Sequence, residues 1–570
     1  MLDYDPNDKT LHYFDDETGD DCGFFCEGFV VYKIASDLLT GDEVVFVKLF
    51  SRAGIKKFEI KSSNLTVSSL PPILLSKGVT FLNSQTNSEM IVAYLLDSKS
   101  KAKIVHTFER LGWSIIKGKT VYLAANLVTV NKTYPERSHT EKDKLSPAGT
   151  FEGWRNGVKP FLSRPEVVLA LIIGASATMV PLVKEAGLFS DTMIFSLIGI
   201  SSSFKTTMLK LMASIFGKPA IGDGIINTML DTSGYFFENL GRKCGFPEFV
   251  DDISAASGYD FSNDLYNISL GKSRGRLSPD GKPRKIQTWC TTVTYTGESS
   301  IFAQTNNNGG LYARLIEFNF SWLSSDDDVD SFYDTINNNY GTAVVPLVQT
   351  LMQFSKADIL KLYNETFNMV VGKIPLKNGI TRRIAQRFAI LLATLCVCNK
   401  AWDLDMKIPP VLDLLQEAYM KNYASYDPIL LAIESLKAEI LNSNHLFLKD
   451  SKFNEFSQRA RGVYGEYNGQ KCLWVDCKKM DEMAKNAGIP SIKDIRKELA
   501  DRGFLVRDKS HHYMFDKTIV NDIEAKCYGV YLRMITSDKK PKAVNSKLAK
   551  KTGSSAMSKS LEYLLSDDED

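Results

Sequence analysis

The pattern of apolar and polar positions changes character along the chain. Over roughly the first 130 residues, short runs rich in β-branched and aromatic residues, such as Phe29–Ile34 and Glu43–Leu49, predict strands separated by turns such as Thr40-Gly41-Asp42. From about residue 151, apolar segments of strand length and helix length alternate, as expected for a sheet with helices on both faces. The pattern therefore predicts an α/β protein preceded by a smaller α+β domain.

Shifts in composition divide the chain further. Residues 131–150 are polar and contain Pro and Gly, which predicts a linker, and the end of the chain is rich in Lys and Ser before an acidic terminus, which predicts disorder. The predicted units are an N-terminal α+β domain with its linker (1–150), an α/β core (151–330), a helical region (331–442), a third domain (443–536) and a disordered tail (537–570).

One apolar segment is long enough to raise the question of a membrane span. Val167–Val183 has 17 uncharged residues, but it is short for a span and contains Gly174 and Pro181, so a buried helix is the better interpretation. The N-terminus lacks the features of a signal peptide, and nine scattered cysteines fit reduced thiols. We therefore expect a cytoplasmic protein with no membrane association.

The strongest chemical signal is a strand, loop and helix in succession. The apolar run Met193–Ile198 leads into a loop that ends at Lys205, and a periodic apolar helix follows. This order is typical of a phosphate-binding loop, in which Lys205 contacts the β- and γ-phosphates of ATP and Thr206 ligates Mg²⁺. The other residues expected to contact the nucleotide are Gly199, Ser201, Ser202, Ser203 and Thr207.

Phe204 departs from this motif, because a glycine usually precedes the lysine. If the position requires a positive φ, a phenylalanine there is strained, and its ring can crowd the nucleotide. The alternative interpretation is a serine-rich turn between a strand and a helix, with Lys205 on the surface.

An acidic strand and a polar strand follow in the order that nucleotide hydrolysis requires. Asp251 ends the apolar run from Phe246 and is expected to hold Mg²⁺, and Asp252 takes the place where a glutamate usually orients the attacking water. Thr296, at the end of a β-prone run, is the candidate sensor of the γ-phosphate. An acidic pair after an apolar stretch is by itself more often the start of a loop.

Two arginines are candidates for stabilising transition-state charge. Arg314 opens an alternating strand, where ring-shaped ATPases place an arginine that reaches the nucleotide of the neighbouring subunit. Arg387, near the start of an apolar helix, is a candidate second nucleotide-binding arginine in the helical region. A surface arginine on an edge strand and a solvated helix face are the respective alternatives.

Between the acidic strand and the sensor strand lies a basic segment around a Pro-Asp-Gly turn. It predicts a β-hairpin with six basic residues against one acid, which suits contacts with DNA phosphates. The whole chain has a net charge of only +2, so such local clustering has to provide any DNA-binding surface. The expected DNA-contacting residues are Lys272, Arg274, Arg276, Lys282, Arg284 and Lys285. A solvated basic loop is the alternative.

The third domain resembles a winged helix in its pattern. A helix is predicted between Ser491 as N-cap and Gly503 as terminator, followed by wing strands at 504–509 and 512–515. The helix would bring Lys493, Arg496 and Lys497 to a major groove, and the wing would bring Arg507 and Lys509 to the backbone. Many winged helices bind protein instead.

The order of these motifs resembles a known family. The segments Gly199–Thr207, Phe246–Ser254, Thr296–Glu298, Gly310–Phe320 and Gln386–Ala389 are similar to primase/helicase-associated ATPase domains. Members of that family include the mini-chromosome-maintenance-like, self-loading replicative helicases of bacterial pathogenicity islands and chromosome cassettes. The Tyr312-Ala313-Arg314 strand also resembles the arginine-finger strand of viral superfamily 3 helicases.

The resemblance implies an AAA+ P-loop core (151–330) with a helical lid, a homohexameric ring, and ATP with Mg²⁺ driving DNA unwinding. It also implies a role as replication initiator in bacterial cytoplasm. The chain departs from the family at Phe204 and Asp252, which bears on the catalytic rate. Two alternatives stay open: a non-catalytic origin-binding initiator that recruits another helicase, and a small-molecule kinase. The tail, with Leu561–Leu565 before its acids, is a candidate docking peptide for a host replication protein or merely a solubilising segment.

Overall fold

The computed structural model describes most of residues 1–536. The residues it does not describe are 52, 139–141, 190, 230–232, 257–258, 276, 278–280, 282, 284–285, 306–308, 325–327, 377–378, 423–427, 449–459, 487–488, 490, 521–522 and 537–570. The predicted tail and its candidate docking segment Leu561–Leu565 therefore lie outside the described residues. Within those residues the architecture is mixed α/β, with five sheets and many helices.

The N-terminal part consists of three sheets and two helices. Its elements are β1 (Leu2–Asp5), β2 (Thr10–Phe14), β3 (Asp21–Glu27), β4 (Phe29–Asp37), β5 (Glu43–Ser51), β6 (Gly54–Lys61), α1 (Leu70–Lys77), α2 (Gln85–Ser100), β7 (Lys103–Phe108), β8 (Leu111–Ile116), β9 (Lys119–Leu123), β10 (Leu127–Val128), β11 (Thr133–Tyr134) and β12 (Arg137–Ser138). The strand orders are β1-β2-β3 and β12-β7-β4-β5-β6 for two of the sheets. The third sheet continues β11-β10-β9-β8 with a strand from the next unit.

A five-stranded parallel sheet forms the centre of the molecule. The elements of this unit are α3 (Lys142–Leu145), α4 (Phe151–Val158), α5 (Pro165–Glu185), β13 (Met193–Ile198), α6 (Lys205–Ser214), β14 (Ile226–Thr228), α7 (Ser233–Leu240), β15 (Lys243–Cys244), β16 (Glu248–Asp251), α8 (Ser262–Leu270), β17 (Thr292–Gly297), α9 (Gly309–Tyr312) and β18 (Leu315–Phe318). The strand order is β14-β16-β17-β13-β18. These strands are short and buried, as parallel strands covered by helices are.

Helix α5 confirms the buried helix predicted at Val167–Val183. The helix is 21 residues long, and 15 of its side chains are buried. It and the later helix Gly379–Trp402 are long and apolar enough to cross a bilayer, but about four fifths of each apolar stretch is buried inside the protein. The apolar character of α5 is thus accounted for by its place between the central sheet and the helical region.

In the described part of the chain, five helices follow the central sheet and share its core. They are α10 (Val329–Asn338), α11 (Val344–Leu351), α12 (Lys356–Lys373), α13 (Gly379–Trp402) and α14 (Ile408–Lys421). Helix α12 begins with a capping box in which the side chains of Ser355 and Asp358 each accept from the other residue's backbone N–H. Short 3-10 helices lie at Ser62–Asn64, Lys159–Ser163, Ile253–Ala256, Ile301–Gln304 and Asn444–Leu446.

The hydrophobic cores place the end of the N-terminal unit near residue 100, and not near residue 150, where the sequence predicted it. One core contains buried residues between Leu2 and Leu95 only. The central core begins at Phe108 and includes Trp113 and Tyr122, which contact each other edge to face. Strand β15 extends the sheet of β8–β11 by pairing with β8, so that sheet is built from two distant parts of the chain.

The C-terminal unit has its own core. Its elements are α15 (Pro428–Asn442), β19 (Phe447–Leu448), β20 (Gly462–Tyr467), β21 (Gln470–Asp476), α16 (Cys477–Asn486), α17 (Ile492–Asp501), β22 (Met514–Val520), β23 (Ile523–Tyr531) and α18 (Leu532–Thr536). The strand order is β19-β20-β21-β23-β22. Helix α17 begins directly after Ser491 and ends two residues before Gly503, close to the predicted limits.

The wing predicted at 504–509 and 512–515 is wrong in position. The antiparallel hairpin is formed by β22 and β23, about ten residues further along the chain. Residues 504–506 instead lie beside β23, where Val506 N donates to Gly529 O and Tyr531 N donates to Phe504 O. Short apolar runs favour a strand in either place, and pairing with a distant partner decides between them.

Candidate nucleotide-binding site

The predicted phosphate-binding loop lies at the carboxyl end of β13, where the chain turns into α6. Lys205 begins that helix and is only 8% exposed. Its ammonium group donates to the carbonyls of Gly199 (2.9 Å) and Ile200 (2.7 Å) and to Ser203 Oγ (3.1 Å). The loop therefore holds the lysine by its own oxygens, at the helix N-terminus that favours bound anions.

A network of oxygen atoms adjoins the lysine. Thr206 Oγ1 donates to Asp251 Oδ1 at 3.0 Å, and Thr296 Oγ1 donates to the same oxygen at 2.5 Å. Asp251 ends β16 and is 7% exposed. A buried carboxylate beside a threonine hydroxyl is an oxygen donor set that suits Mg²⁺, so the residues present fit the expected ion. The structure thus brings together Lys205, Thr206, Asp251 and Thr296 from separate parts of the sequence.

Asp252 has a different environment from Asp251. It is exposed, and its backbone has a positive φ of 52°. Its Oδ1 accepts from Ser254 N at 3.1 Å, and its own N–H donates to Thr296 Oγ1 at 3.0 Å. Asp252 therefore lies beside the network with its carboxylate in a local turn.

Glu298 is a charged neighbour to which the sequence pattern gave no role of its own. Strand β17 pairs with β13 in the register Gly297↔Ile198, so Glu298 leaves the sheet beside Gly199. Burial lowers the pKa of Lys205, and the negative charges of Glu298, Asp251 and Asp252 oppose that shift. The sequence signals for Glu298 were its position directly after the sensor strand and its place in the Thr296–Glu298 segment of the family resemblance.

Phe204 has the strained conformation that the motif implies. Its φ is +63° and its ψ is 22°, in the left-handed region, and Ser202 in the same loop has a φ of +66°. This conformation costs an L-residue about 1–2 kcal/mol relative to glycine. The ring of Phe204 packs against the central core, which offsets part of that cost.

We expect Phe204→Gly to be more stable than Phe204→Ala. Both substitutions remove the ring, but only glycine also removes the backbone strain, so the usual advantage of alanine is reversed. The expected difference is about 1 kcal/mol, or roughly 2–4 °C in melting temperature for a domain of this size. Thermal unfolding of the two variants side by side measures it, and an alanine variant that melts higher contradicts the strain.

The two candidate arginines lie at the other edge of the central sheet. Arg314 precedes β18, and its Nε donates to Ser269 Oγ at 2.8 Å, while its Nη1 donates to the carbonyl of Gly310 at 2.7 Å. Its guanidinium lies 4.6 Å from the centre of the Tyr266 ring. Strand β13 spans six residues, about 20 Å, between this amino edge and the loop that contains Lys205.

Arg387 is buried, which corrects the alternative of a solvated helix face. Its side chain is fully buried, its Nη2 lies 3.3 Å from Asp191 Oδ2, and its guanidinium is 5.0 Å from the Phe189 ring centre. Burial lowers its pKa to about 10. Asp191 precedes β13, so Arg387 also lies at the amino edge and does not contact the loop of its own chain.

The basic segment forms the arms of a hairpin at this amino edge. Lys272 pairs with Thr288 and Leu277 pairs with Pro283, both antiparallel. Trp289 anchors the base of the arms, because its N–H and Nε1 donate to the carbonyls of Gly271 and Ile268, both at 2.9 Å. Lys272 and Arg274 are exposed. The other DNA contacts predicted in this segment lie outside the described residues: Arg276, Lys282, Arg284 and Lys285.

Of the five DNA contacts predicted in the C-terminal unit, three are exposed and two contact other side chains. Those exposed are Lys493, Lys497 and Lys509. Arg496 lies 5.2 Å from the centre of the Tyr513 ring, and Arg507 forms an ion pair with Asp501.

Comparison with known proteins gives one family model and similar solved structures. A family model described as a domain of unknown function, DUF927, matches residues 9–288. The structure described as "SCCmec type IV Cch - active helicase" has a TM-score of 0.68 at 19% identity, and the match covers 94% of this chain and 98% of that one. The apo C-terminal region of NrS-1 has a TM-score of 0.24 at 9% identity, over 87% and 96% of the two chains. No curated protein matches the sequence.

The likeness to the first of these structures extends over nearly the whole chain. It therefore concerns the arrangement of all the units and not the central sheet alone. At 19% identity it shows that this chain shares the fold of a protein described as a helicase.

Proposed function

We propose that this chain is an ATP-dependent DNA helicase that acts as a homohexameric ring and initiates replication of a bacterial mobile element. The observation that carries the proposal is the position of Lys205, Thr206 and Asp251 at one edge of the central sheet and of Arg314 at the other. A single chain with this division holds a nucleotide but cannot complete its own site. In a ring, each subunit presents Arg314 to the nucleotide of its neighbour.

The proposal gives each residue a step. Lys205 leaves its loop carbonyls to contact the β- and γ-phosphates, and the backbone N–H groups from Ser201 to Thr207 surround them. Asp251 and Thr206 would hold Mg²⁺, which neutralises phosphate charge when bound. Thr296 contacts the γ-phosphate and is coupled to Asp251 by the hydrogen bond between them. Asp252 orients the attacking water. Arg314, and behind it Arg387, stabilise charge in the adjacent subunit's site.

Several features support an AAA+ P-loop core. The five strands of the sheet are parallel. After β13 the chain continues to β14 at one edge of the sheet, whereas after β17 it passes β13 to reach β18 at the opposite edge. In such open sheets, ligands bind outside the carboxyl ends of the strands at this reversal. The loop of Lys205 follows one of these two strands and Glu298 follows the other. The helices α10–α14 would then act as the lid region.

DNA is the proposed partner because of the hairpin at Lys272–Thr288 and because the similar structure is described as an active helicase. The exposed arms would project into the channel of the ring and move with each hydrolysis event. The C-terminal unit, as a winged-helix domain, would recognise origin duplex with α17. A bacterial cytoplasmic location and a host replication protein bound by the tail belong to the same proposal.

A non-catalytic initiator is the second candidate. It is favoured by the strain at Phe204 and by the local turn that holds the carboxylate of Asp252. It would bind origin DNA without turnover and recruit a separate helicase.

ATP hydrolysis with and without single-stranded DNA distinguishes the two candidates. For the helicase we expect DNA to stimulate turnover, because strand engagement orders the ring and brings Arg314 to the neighbouring site. We also expect light scattering to give about six times the chain mass of 63.7 kDa in the presence of nucleotide and DNA. DNA binding without any turnover would instead support the non-catalytic initiator, and a monomer with DNA-independent activity would support a small-molecule kinase.

A further inference from the structure

The open face of the N-terminal sheet β12-β7-β4-β5-β6 has an unusual surface. In β5 the buried residues Val45, Val47 and Leu49 face the N-terminal core. The residues between them belong to the opposite face, because successive side chains of a strand alternate. Those residues are Val44, Phe46, Lys48 and Phe50. We call this opposite side the open face of the sheet.

Positive charge is concentrated on the open face. Lys48 is directly opposite Lys57 in the antiparallel register of β5 and β6, and Lys33 is paired with Lys103 between β4 and β7. Like charges opposite each other destabilise a sheet, so folding alone gives no reason for this arrangement. Among the described residues, neither Lys48 nor Lys57 has an acidic side chain within ion-pair distance. Lys61 adds a further exposed positive charge to the same face, and Glu59 is an exposed acidic residue of that face.

Aromatic rings lie between these lysines. Tyr32 is 39% exposed, and its ring centre is 6.2 Å from that of Phe46. Lys57 Nζ lies 5.8 Å from the Tyr32 ring centre, and Lys48 Nζ lies 5.0 Å from that of Phe50. Tyr32 occupies a bulge in β4, between the residues paired with Val47 and Phe46, and the bulge turns its ring toward the open face. The rings and charges thus alternate across two neighbouring strand pairs.

We propose that the open face binds single-stranded DNA, with the lysines on phosphates and Tyr32 stacked on a base. A single strand offers both groups that this face matches, because its backbone is anionic and its bases expose their flat sides. A duplex offers phosphates only, since its bases are stacked within the helix. An acidic protein would satisfy the lysines but gives no role to the exposed ring of Tyr32.

A cleft connects the open face with the basic hairpin. The cleft has a volume of about 1440 Å³ and is lined by Val44 and Lys61 of the face and by Arg110 and Arg242 beyond it. It reaches Gln287–Trp289, at the base of the basic hairpin. Acidic residues also line the cleft, so the positive charge is densest on the sheet itself. The open face and the base of the basic hairpin therefore line the same cleft.

The proposal goes beyond the ATPase reaction and can be tested without nucleotide. Binding of a fluorescent oligothymidylate to the full chain is measured by anisotropy over a series of salt concentrations. Lys48→Glu is expected to weaken binding about tenfold or more and to reduce the salt dependence by about 0.7 for each phosphate that the variant no longer neutralises. The same substitution places an acid opposite Lys57, so the melting temperature should not fall. A loss of affinity in a more stable protein cannot be caused by misfolding.

Tyr32→Ala separates stacking from charge. It is expected to weaken binding about tenfold with an unchanged salt dependence, because it removes a ring and no cation. Lys119→Glu is the matched control, since this residue is an exposed strand lysine on the sheet of β8–β11, and it should bind within about twofold of the unaltered protein.

Two outcomes overturn the proposal. One is binding by Lys48→Glu and Tyr32→Ala that is indistinguishable from that of the control. The other is an equal decrease in affinity for duplex and single-stranded probes in Lys48→Glu with no decrease in Tyr32→Ala, which would mean a general phosphate surface. Because no nucleotide is used, an inactive ATPase site leaves each of these results interpretable.

Discussion

Arg314→Ala is expected to lower DNA-stimulated ATP turnover by about 10³-fold or more while nucleotide binding persists. The arginine is remote from its own loop, so its removal leaves Lys205, Thr206 and Asp251 unchanged. In the proposed ring, the variant would lack the positive charge that a neighbouring subunit would supply as negative charge develops on the γ-phosphate. Steady-state turnover and the affinity for a fluorescent ATP analogue, measured on the same preparation, separate the two effects.

Mixing two inactive variants tests the origin of that arginine. Subunits with Arg314→Ala retain an intact loop, and subunits with Lys205→Ala retain an intact arginine. In a mixed ring, a complete site forms wherever the loop of the first faces the arginine of the second. Partial recovery of turnover on mixing is therefore expected, and it cannot arise if Arg314 acts within its own chain. Arg382→Ala is the control, because Arg382 is exposed on α13 and lies over the Phe367 ring.

Lys205→Ala is expected to abolish ATP-driven unwinding and to weaken nucleotide binding strongly. The ammonium group is held by two carbonyls and one hydroxyl of the loop, which is the position from which it would meet the phosphates. Alanine removes the only described lysine in that loop, and the nearby charges of Glu298, Asp251 and Asp252 would then repel the nucleotide. Loss of a hydrogen-bonded charge of this kind costs about 2–5 kcal/mol in binding.

Lys210→Ala is the matched control for this variant. Lys210 lies in the same helix α6, five residues after Lys205, and its ammonium is 5.5 Å from the Tyr333 ring centre. It should retain nucleotide binding and unwinding. Full ATP-driven unwinding by Lys205→Ala would rule out the phosphate-binding role of the loop and, with it, the helicase proposal.

The sequence by itself determined the elements that depend on local pattern. The apolar strand before Gly199, the periodic helix after Lys205 and the buried helix at Val167–Val183 all follow from residue periodicity over short distances. The sequence also identified Phe204 as the position where a positive φ would be strained, and the structure shows that positive φ. The nucleotide-site hypothesis could therefore be stated from sequence, although its chemistry stays a prediction.

The tertiary structure alone decided which distant groups meet. Thr206 and Thr296 donate to the same oxygen of Asp251 because strands β13, β16 and β17 are neighbours. The pairing of β13 with β17 also places Glu298 beside Gly199. Arg387 could not be distinguished from a solvated residue until its helix packed against Asp191. The wing was misplaced for the same reason. Period and composition describe one segment at a time, whereas strand pairing and burial are set by the free energy of the whole packed core.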